Sequence, residues 1–356
     1  MTAESWTIRD TIRGLASPNL APLPRPPYGL SSDSGVFLGV ESMKEHMTDE
    51  GWQLALAFKS VGYQLAGYRL QVDETDVPTI LAQTDPGIVI VQDKREWDSS
   101  QRSFRELKAH FTNVNQLRDN PLIFKATILK DAHQNPEYHR RSADEIGCHA
   151  WVVYYHPEIV RHVAPYVRPE DVVRTYHSLD PSVVPVFNRY RTRLAILSGA
   201  VSRAYPLRKR LVRDQRHMPS VTILPHPGYH RRGTATPDYM KILAHYKVAI
   251  CTASRYGYLL RKIIEATAAG CVVITDLPVD EVVPEIDGNL IRVRPDTYAY
   301  VIEEIVKAAC ESYNAGKQLK YARKAIDYFN YANQGFRMVS ALNEIRMRYA
   351  TANVLG

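Results

Sequence analysis

Nowhere in these 356 residues does an apolar run approach the roughly 18 residues that span a bilayer, so no transmembrane segment is expected. Cysteine is scarce. Cys148, Cys251, Cys271 and Cys310 lie far apart and form no Cys-x-x-Cys pair, which argues against disulfides and a zinc site. Three of them sit in or beside apolar segments, as buried free thiols do. The N-terminus lacks a basic stretch followed by an apolar one, so no secretory leader is expected. With free thiols, this points to a cytoplasmic location. Missing motifs narrow the chemistry further. No Gly-Lys-Ser/Thr of a P-loop is present, so triphosphate hydrolysis is not expected. No Gly-x-Ser-x-Gly elbow and no dinucleotide-binding Gly-x-Gly-x-x-Gly occurs, so hydrolase and dehydrogenase chemistry also recede. His226 and His230 enclose a Pro-Gly spacer that cannot hold helical register, so no metal site is expected there.

What is present is positive charge and a βα rhythm. Lysine and arginine number 45 against 38 acidic residues, a net +7 that suits a nucleotide, a nucleic acid or an anionic surface without choosing among them. The length suggests two domains. Residues 1–33 are proline-rich and aperiodic, and read as an irregular arm. From 34 to 186 the pattern predicts strands at 36–40, 64–71, 87–92, 124–130, 150–155 and 171–176. Helices are expected between some of these, at 49–62, 77–83 and 102–111. Ser178–Phe187, with its two prolines, reads as a linker. The rhythm restarts over 187–330 with strands at 194–198, 221–224, 248–252 and 271–275. Helices are expected at 206–214, 237–245 and 258–269, then 298–316 and 319–330. A last helix, within 331–356, is expected to pack back on the N-terminal domain. Alternating strands and helices in both halves predict two Rossmann-like α/β domains facing a cleft, with C-terminal helices.

The most informative segment is Ser254-Arg-Tyr-Gly-Tyr-Leu-Leu-Arg-Lys-Ile-Ile-Glu-Ala-Thr-Ala-Ala-Gly270, followed by the apolar Cys271–Thr275. Arg261 and Lys262 fall on the first turns of the expected helix, where backbone N–H groups favour anions. Glu265 follows Arg261 at i+4 on the same face, a spacing equally common on solvated helix surfaces. Ser198 and Gly199, with Arg203 and Arg208 after them, would let backbone amides and guanidinium groups approach a phosphate. His226 opens a loop crowded with imidazole and guanidinium groups. In the first half Asp131 and His133 follow a strand and are candidates for proton exchange with an acceptor. The acids of Asp276–Glu285 read as a polar turn.

These residues resemble the donor-site pattern of the GT-B glycosyltransferases, a helix with Lys/Arg and then Glu-Ala-x-x-x-Gly running into an apolar strand. With Ser198-Gly-Ala and Tyr205-Pro-Leu-Arg208, the match is nearest the glycosyltransferase 1/4-like proteins that include the CgeB group. The resemblance covers roughly 194–294. It implies a metal-independent, retaining transfer from a UDP- or GDP-sugar to an unidentified acceptor, with no cofactor besides the donor. It also implies a donor pocket of Ser198, Gly199, Arg208, His226, Tyr256, Gly257, Arg261 and Glu265, with Arg203 and Lys262 in catalysis, while Asp131 and His133 remain the acceptor-side catalytic candidates read from their loop. Glu265 would accept from the ribose, and the cations would neutralise the leaving diphosphate. The family's first acid of Glu-x7-Glu is Gly257 here, so sugar contacts are expected from Arg255, Tyr256 or backbone amides. Transfer to a DNA base, favoured by the positive charge, and a catalytically degenerate nucleotide-sugar-binding scaffold are the competing expectations.

Overall fold

The computed structural model describes residues 5–29, 32–39, 50–66, 75–92, 95–98, 103–106, 111–129, 133, 135–226 and 235–354. These fall into two compact units, one of residues 5–15 and 176–333, the other containing residues 16–175 and 334–354. The first helix, α1 (Ile8–Arg13), belongs to the unit that carries most of the C-terminal half.

The N-terminal unit is built on six parallel strands: β1 (Gly35–Leu38), β2 (Gln64–Ala66), β3 (Ile88–Gln92), β4 (Phe124–Leu129), β5 (Ala150–Val153) and β6 (Val172–Arg174). Their order is β6-β5-β4-β3-β1-β2. Every residue of β1, β3 and β5 is buried, the signature of a parallel sheet covered on both faces. Among the described residues the helices between the strands are α2 (Glu50–Ser60), α3 (Val77–Thr84), α4 (Pro136–Ile146) and α5 (Pro157–Val163). Phe58 of α2 stacks on Phe37 of β1 at 5.2 Å between ring centroids. The sequence reading passed over α4, although Asn135 caps it, Pro136 opens it and Gly147 ends it. Of the helix expected over 102–111, residues 102 and 107–110 lie outside the described residues, and the rest is not helical. Ser103–Glu106 is a strand, paired antiparallel with the neighbouring Arg95–Asp98, and this cross-strand pairing outweighs helical preference.

The C-terminal unit has a parallel sheet of β7 (Arg193–Ser198), β8 (Val221–Leu224), β9 (Tyr246–Ile250), β10 (Val272–Thr275) and β11 (Leu290–Arg292), ordered β8-β7-β9-β10-β11. Helices α6 (Pro206–Arg213), α7 (Ala235–Leu243), α8 (Arg261–Ala268), α9 (Ala299–Glu311) and α10 (Ala315–Phe329) flank it. The period of two along each strand divides the core. Ile196, Ala249 and Val273 pack with Met240, Ile263 and Phe329 on one face. Ala195, Leu197, Val248, Ile250 and Ile274 pack with Leu207, Leu211, Ile302 and Val306 on the other. In both sheets the second strand lies on one side of the first and the third strand on the other. The switch points are therefore β1/β3 and β7/β9, where the loops leaving the carboxyl ends diverge and a ligand crevice opens.

Two segments differ from their sequence reading. The lead-in of residues 1–33 contains a helix, α1, closed by a capping box in which Thr7 and Asp10 satisfy each other's backbone N–H groups. Residues 178–187, read as a linker, belong to the C-terminal unit, where Leu179 is fully buried and its N–H donates to Phe329 O at 2.7 Å, while Pro181, Ser182 and Val186 are exposed. The last helix, α11 (Tyr331–Val354), lies from Gln334 onward in the N-terminal unit, where its Arg346 donates to the Tyr28 hydroxyl at 2.5 Å.

Candidate anion site at the carboxyl edge of the second sheet

Strand β7 ends at Ser198, and Gly199 follows with φ +113, a conformation L side chains rarely adopt. A Cβ there would overlap the Arg208 guanidinium and lie 3.3 Å from Lys262 Cε. The missing side chain is what lets two cations pack against the main chain at the switch point. Arg208 comes from the first turn of α6, placed by Pro206, whose fixed φ suits a helix start. It is almost fully buried, donates to Ala200 O at 2.9 Å and Thr252 O at 3.4 Å, and lies 4.2 Å from the Tyr205 ring centroid. Among the described residues its Nε and the buried Thr252 Oγ1 have no hydrogen-bond partner, as happens where a ligand or water belongs.

Lys262 comes from the first turn of α8. Its Nζ is 4.2 Å from the Tyr239 ring centroid and 3.4 Å from Ser198 Oγ, while the Tyr239 hydroxyl is 2.7 Å from the same oxygen. Neither α6 nor α8 has a side-chain cap on its first turn, so both N-termini keep backbone N–H groups for an anion. Electrostatics agree with the geometry. Desolvation lowers the pKa of Lys262, Arg208 pushes it the same way, and Glu265 opposes. Desolvation also lowers Arg208. His226 is lowered by burial and then by both cations. An anion bound among these groups would reverse their mutual repulsion.

Arg261 and Glu265, predicted to face the nucleotide, form an ion pair with each other at 2.9 Å, their side chains 10% and 6% exposed. Lys262, not Arg261, joins Ser198. Tyr256 is buried, with the Arg255 guanidinium 4.9 Å from its ring centroid and donating to its hydroxyl at 2.5 Å. Gly257 has φ +59, and a Cβ there would lie 2.9 Å from Thr11 Oγ1 of α1. Arg203 is exposed on the loop after β7. Asp131 lies outside the described residues. His133 belongs to the N-terminal unit, its Nδ1 3.0 Å from the Tyr155 hydroxyl beyond β5. Two residues were missed as site members. Tyr239 carries no motif, and Asp276 lies in a stretch whose pattern reads as a polar turn. Asp276 is buried at the end of β10, accepts from Ala253 N at 2.6 Å, and burial pushes its pKa up to about 7. Among the described residues no group of three or more His, Cys, Asp or Glu side chains is placed to hold a metal ion.

Solved structures similar to this chain are sugar-transfer enzymes by name. A sucrose-phosphate synthase from Thermosynechococcus elongatus matches with TM-score 0.53 at 13% identity, covering 91% of this chain and 100% of that one. A glycosyltransferase from Rickettsia africae matches at 0.52 with 9% identity, over 88% and 99% of the two chains. HepE of Anabaena, in complex with UDP, matches at 0.52 with 11% identity, over 87% and 100%. The chain has the GT-B glycosyltransferase fold. The GT-B match runs over both α/β units, so it extends beyond the segment that carried the sequence resemblance. No family model and no curated protein matches the sequence.

Proposed function

We propose that this chain is a glycosyltransferase that takes its sugar from a nucleoside diphosphate sugar and uses Arg208 and Lys262, not a metal ion, to neutralise the leaving diphosphate. The observation that carries this reading is the packing of both cations against Gly199 at the β7/β9 switch point of a GT-B fold. A diphosphate departing from the anomeric carbon gains charge as the glycosidic bond breaks. Fixed cations and uncapped helix N-termini stabilise that charge without reorganising at the moment of reaction. Lysine and arginine kept short of water do this better than the same groups in solvent. Glu265, held by Arg261, is assigned to the ribose hydroxyls, and His226 to the rim of the diphosphate pocket. The UDP complex of the HepE neighbour favours UDP as the first nucleotide to try. On the N-terminal unit, His133 is assigned to the acceptor, oriented through Nδ1 by Tyr155.

The test is calorimetric titration of UDP and GDP in the presence of EDTA. The wild type is expected to bind one of them, and Lys262→Ala to weaken that binding about tenfold, the loss of one charge-assisted contact. Absence of binding by any nucleoside diphosphate at millimolar concentration would falsify the assignment. A panel of nucleotide-sugars, followed for slow release of free sugar to water, then identifies the donor.

A further inference from the structure

Among the described residues Ser198 Oγ has two hydrogen-bonding neighbours, and their chemistry constrains its own proton. Lys262 has only donors to offer, so its 3.4 Å approach uses one lone pair of Ser198 Oγ. The Tyr239 hydroxyl, at 2.7 Å, can take the second lone pair by donating. Ser198 then keeps its hydrogen for a third partner. Resting on the functional reading above, we infer that Tyr239 is a positioning residue for the diphosphate. Its ring seats the Lys262 ammonium, and its hydroxyl, donating to Ser198, leaves the Ser198 O–H as a donor for a phosphate oxygen.

The alternative polarity, with Ser198 donating to Tyr239, would leave a phenol proton without use beside the cations. It would also present a lone pair where an anion is to bind. Burial holds the phenol protonated, with Cys251 and Glu265 pushing the same way and the hydrogen bond to Ser198 opposing, so the hydroxyl keeps a proton to donate. Lys262 is faced by Glu265 and Arg261 on its own helix, by Arg208 from α6 and by Cys251 after β9. Of the groups around Ser198, Tyr239 touches both this serine and the ammonium. Its position on α7 places it outside every segment that a phosphate motif would draw attention to.

The experiment is a double-mutant cycle on UDP affinity, with uridine as a phosphate-free control. Tyr239→Phe keeps the ring under Lys262 and removes the hydroxyl. It is expected to weaken UDP about threefold, the size of one neutral hydrogen bond. Ser198→Ala should cost about the same, and the double variant should be no worse than either single one, because the hydroxyl acts through Ser198. Tyr239→Leu, which also removes the ring face, should weaken UDP about tenfold, while uridine affinity stays unchanged in every variant. Additive losses in the cycle, or equal losses for uridine and UDP, would overturn the role. If Tyr239→Leu does not fold, the cycle with Tyr239→Phe decides alone. A wild type that binds no nucleoside diphosphate removes the functional reading and this role together. A wild type that binds, with Tyr239→Phe and Tyr239→Leu unchanged, removes this role and leaves the reading standing.

Discussion

At Gly199 the main chain takes φ +113 while the Arg208 guanidinium and Lys262 Cε press on the place a Cβ would occupy. Gly199→Ala must therefore strain the backbone and displace at least one cation. The expected cost is about 1–3 kcal/mol in chemical denaturation, with a loss of UDP affinity larger than that of a surface alanine. Unchanged stability and affinity would show that the cations are not held by this close approach. Arg261 and Glu265 teach the opposite lesson. Their i+4 spacing was visible in the sequence, but spacing could not say that they would satisfy each other in a nearly dry setting. Lys262, one residue along, points to Ser198 and Tyr239 instead.

Among the elements, α1 joins the C-terminal unit by a few directed bonds. The Val279 N–H donates to Trp6 O at 2.8 Å, and the Ile8 N–H donates to Asp280 Oδ1 at 2.7 Å. Ile8 is fully buried, and Thr11 covers Gly257 on the loop between β9 and α8. Asp280→Ala removes the side-chain acceptor for Ile8, a change of about 1 kcal/mol. Hydrogen exchange should then quicken at Ile8 and Val279, while β7, β9 and β10 keep their protection. Equal protection at Ile8 in the variant would mean that the bond does not anchor the helix. This helix was hidden in the sequence because six residues give too short a window for periodicity. Only its Thr-x-x-Asp cap was legible.

For the molecule as a whole, Asp276 ties acid–base chemistry to stability. Burial raises its folded pKa to about 7, against 3.8 for an ordinary aspartate. The folded state thus holds a proton that the unfolded state has lost between those values, so this group's stabilisation is present at lower pH and fades as pH rises through about 7. Replacing it by Asn keeps an acceptor for the Ala253 N–H and removes the ionisation. Asp276→Asn is therefore expected to gain stability over the wild type from pH 5 to pH 8, by roughly 3 kcal/mol, read as a widening difference in Tm. A constant difference across that range would mean that Asp276 titrates as an ordinary carboxyl.

The sequence by itself determined the α/β class, the two successive parallel sheets and nearly all strands of the second. A fully buried parallel strand needs an apolar run such as Ile88–Val91 or Val272–Ile274, which is visible locally. It also singled out Ser198, Gly199, Arg208, His226 and Lys262 as candidates, because glycine and cations after a strand carry their chemistry in their residue type. Tertiary structure decided the rest. Ser103–Glu106 became a strand by pairing antiparallel with Arg95–Asp98, Asp98–Ser103 being the inner pair and Arg95–Glu106 the outer one. Arg261 turned to Glu265, and Tyr239 came from α7 to sit under Lys262, forty-one residues from the serine it bonds. Those choices depend on which side chains reach one another across the sheet's edge, and no local period records such distances.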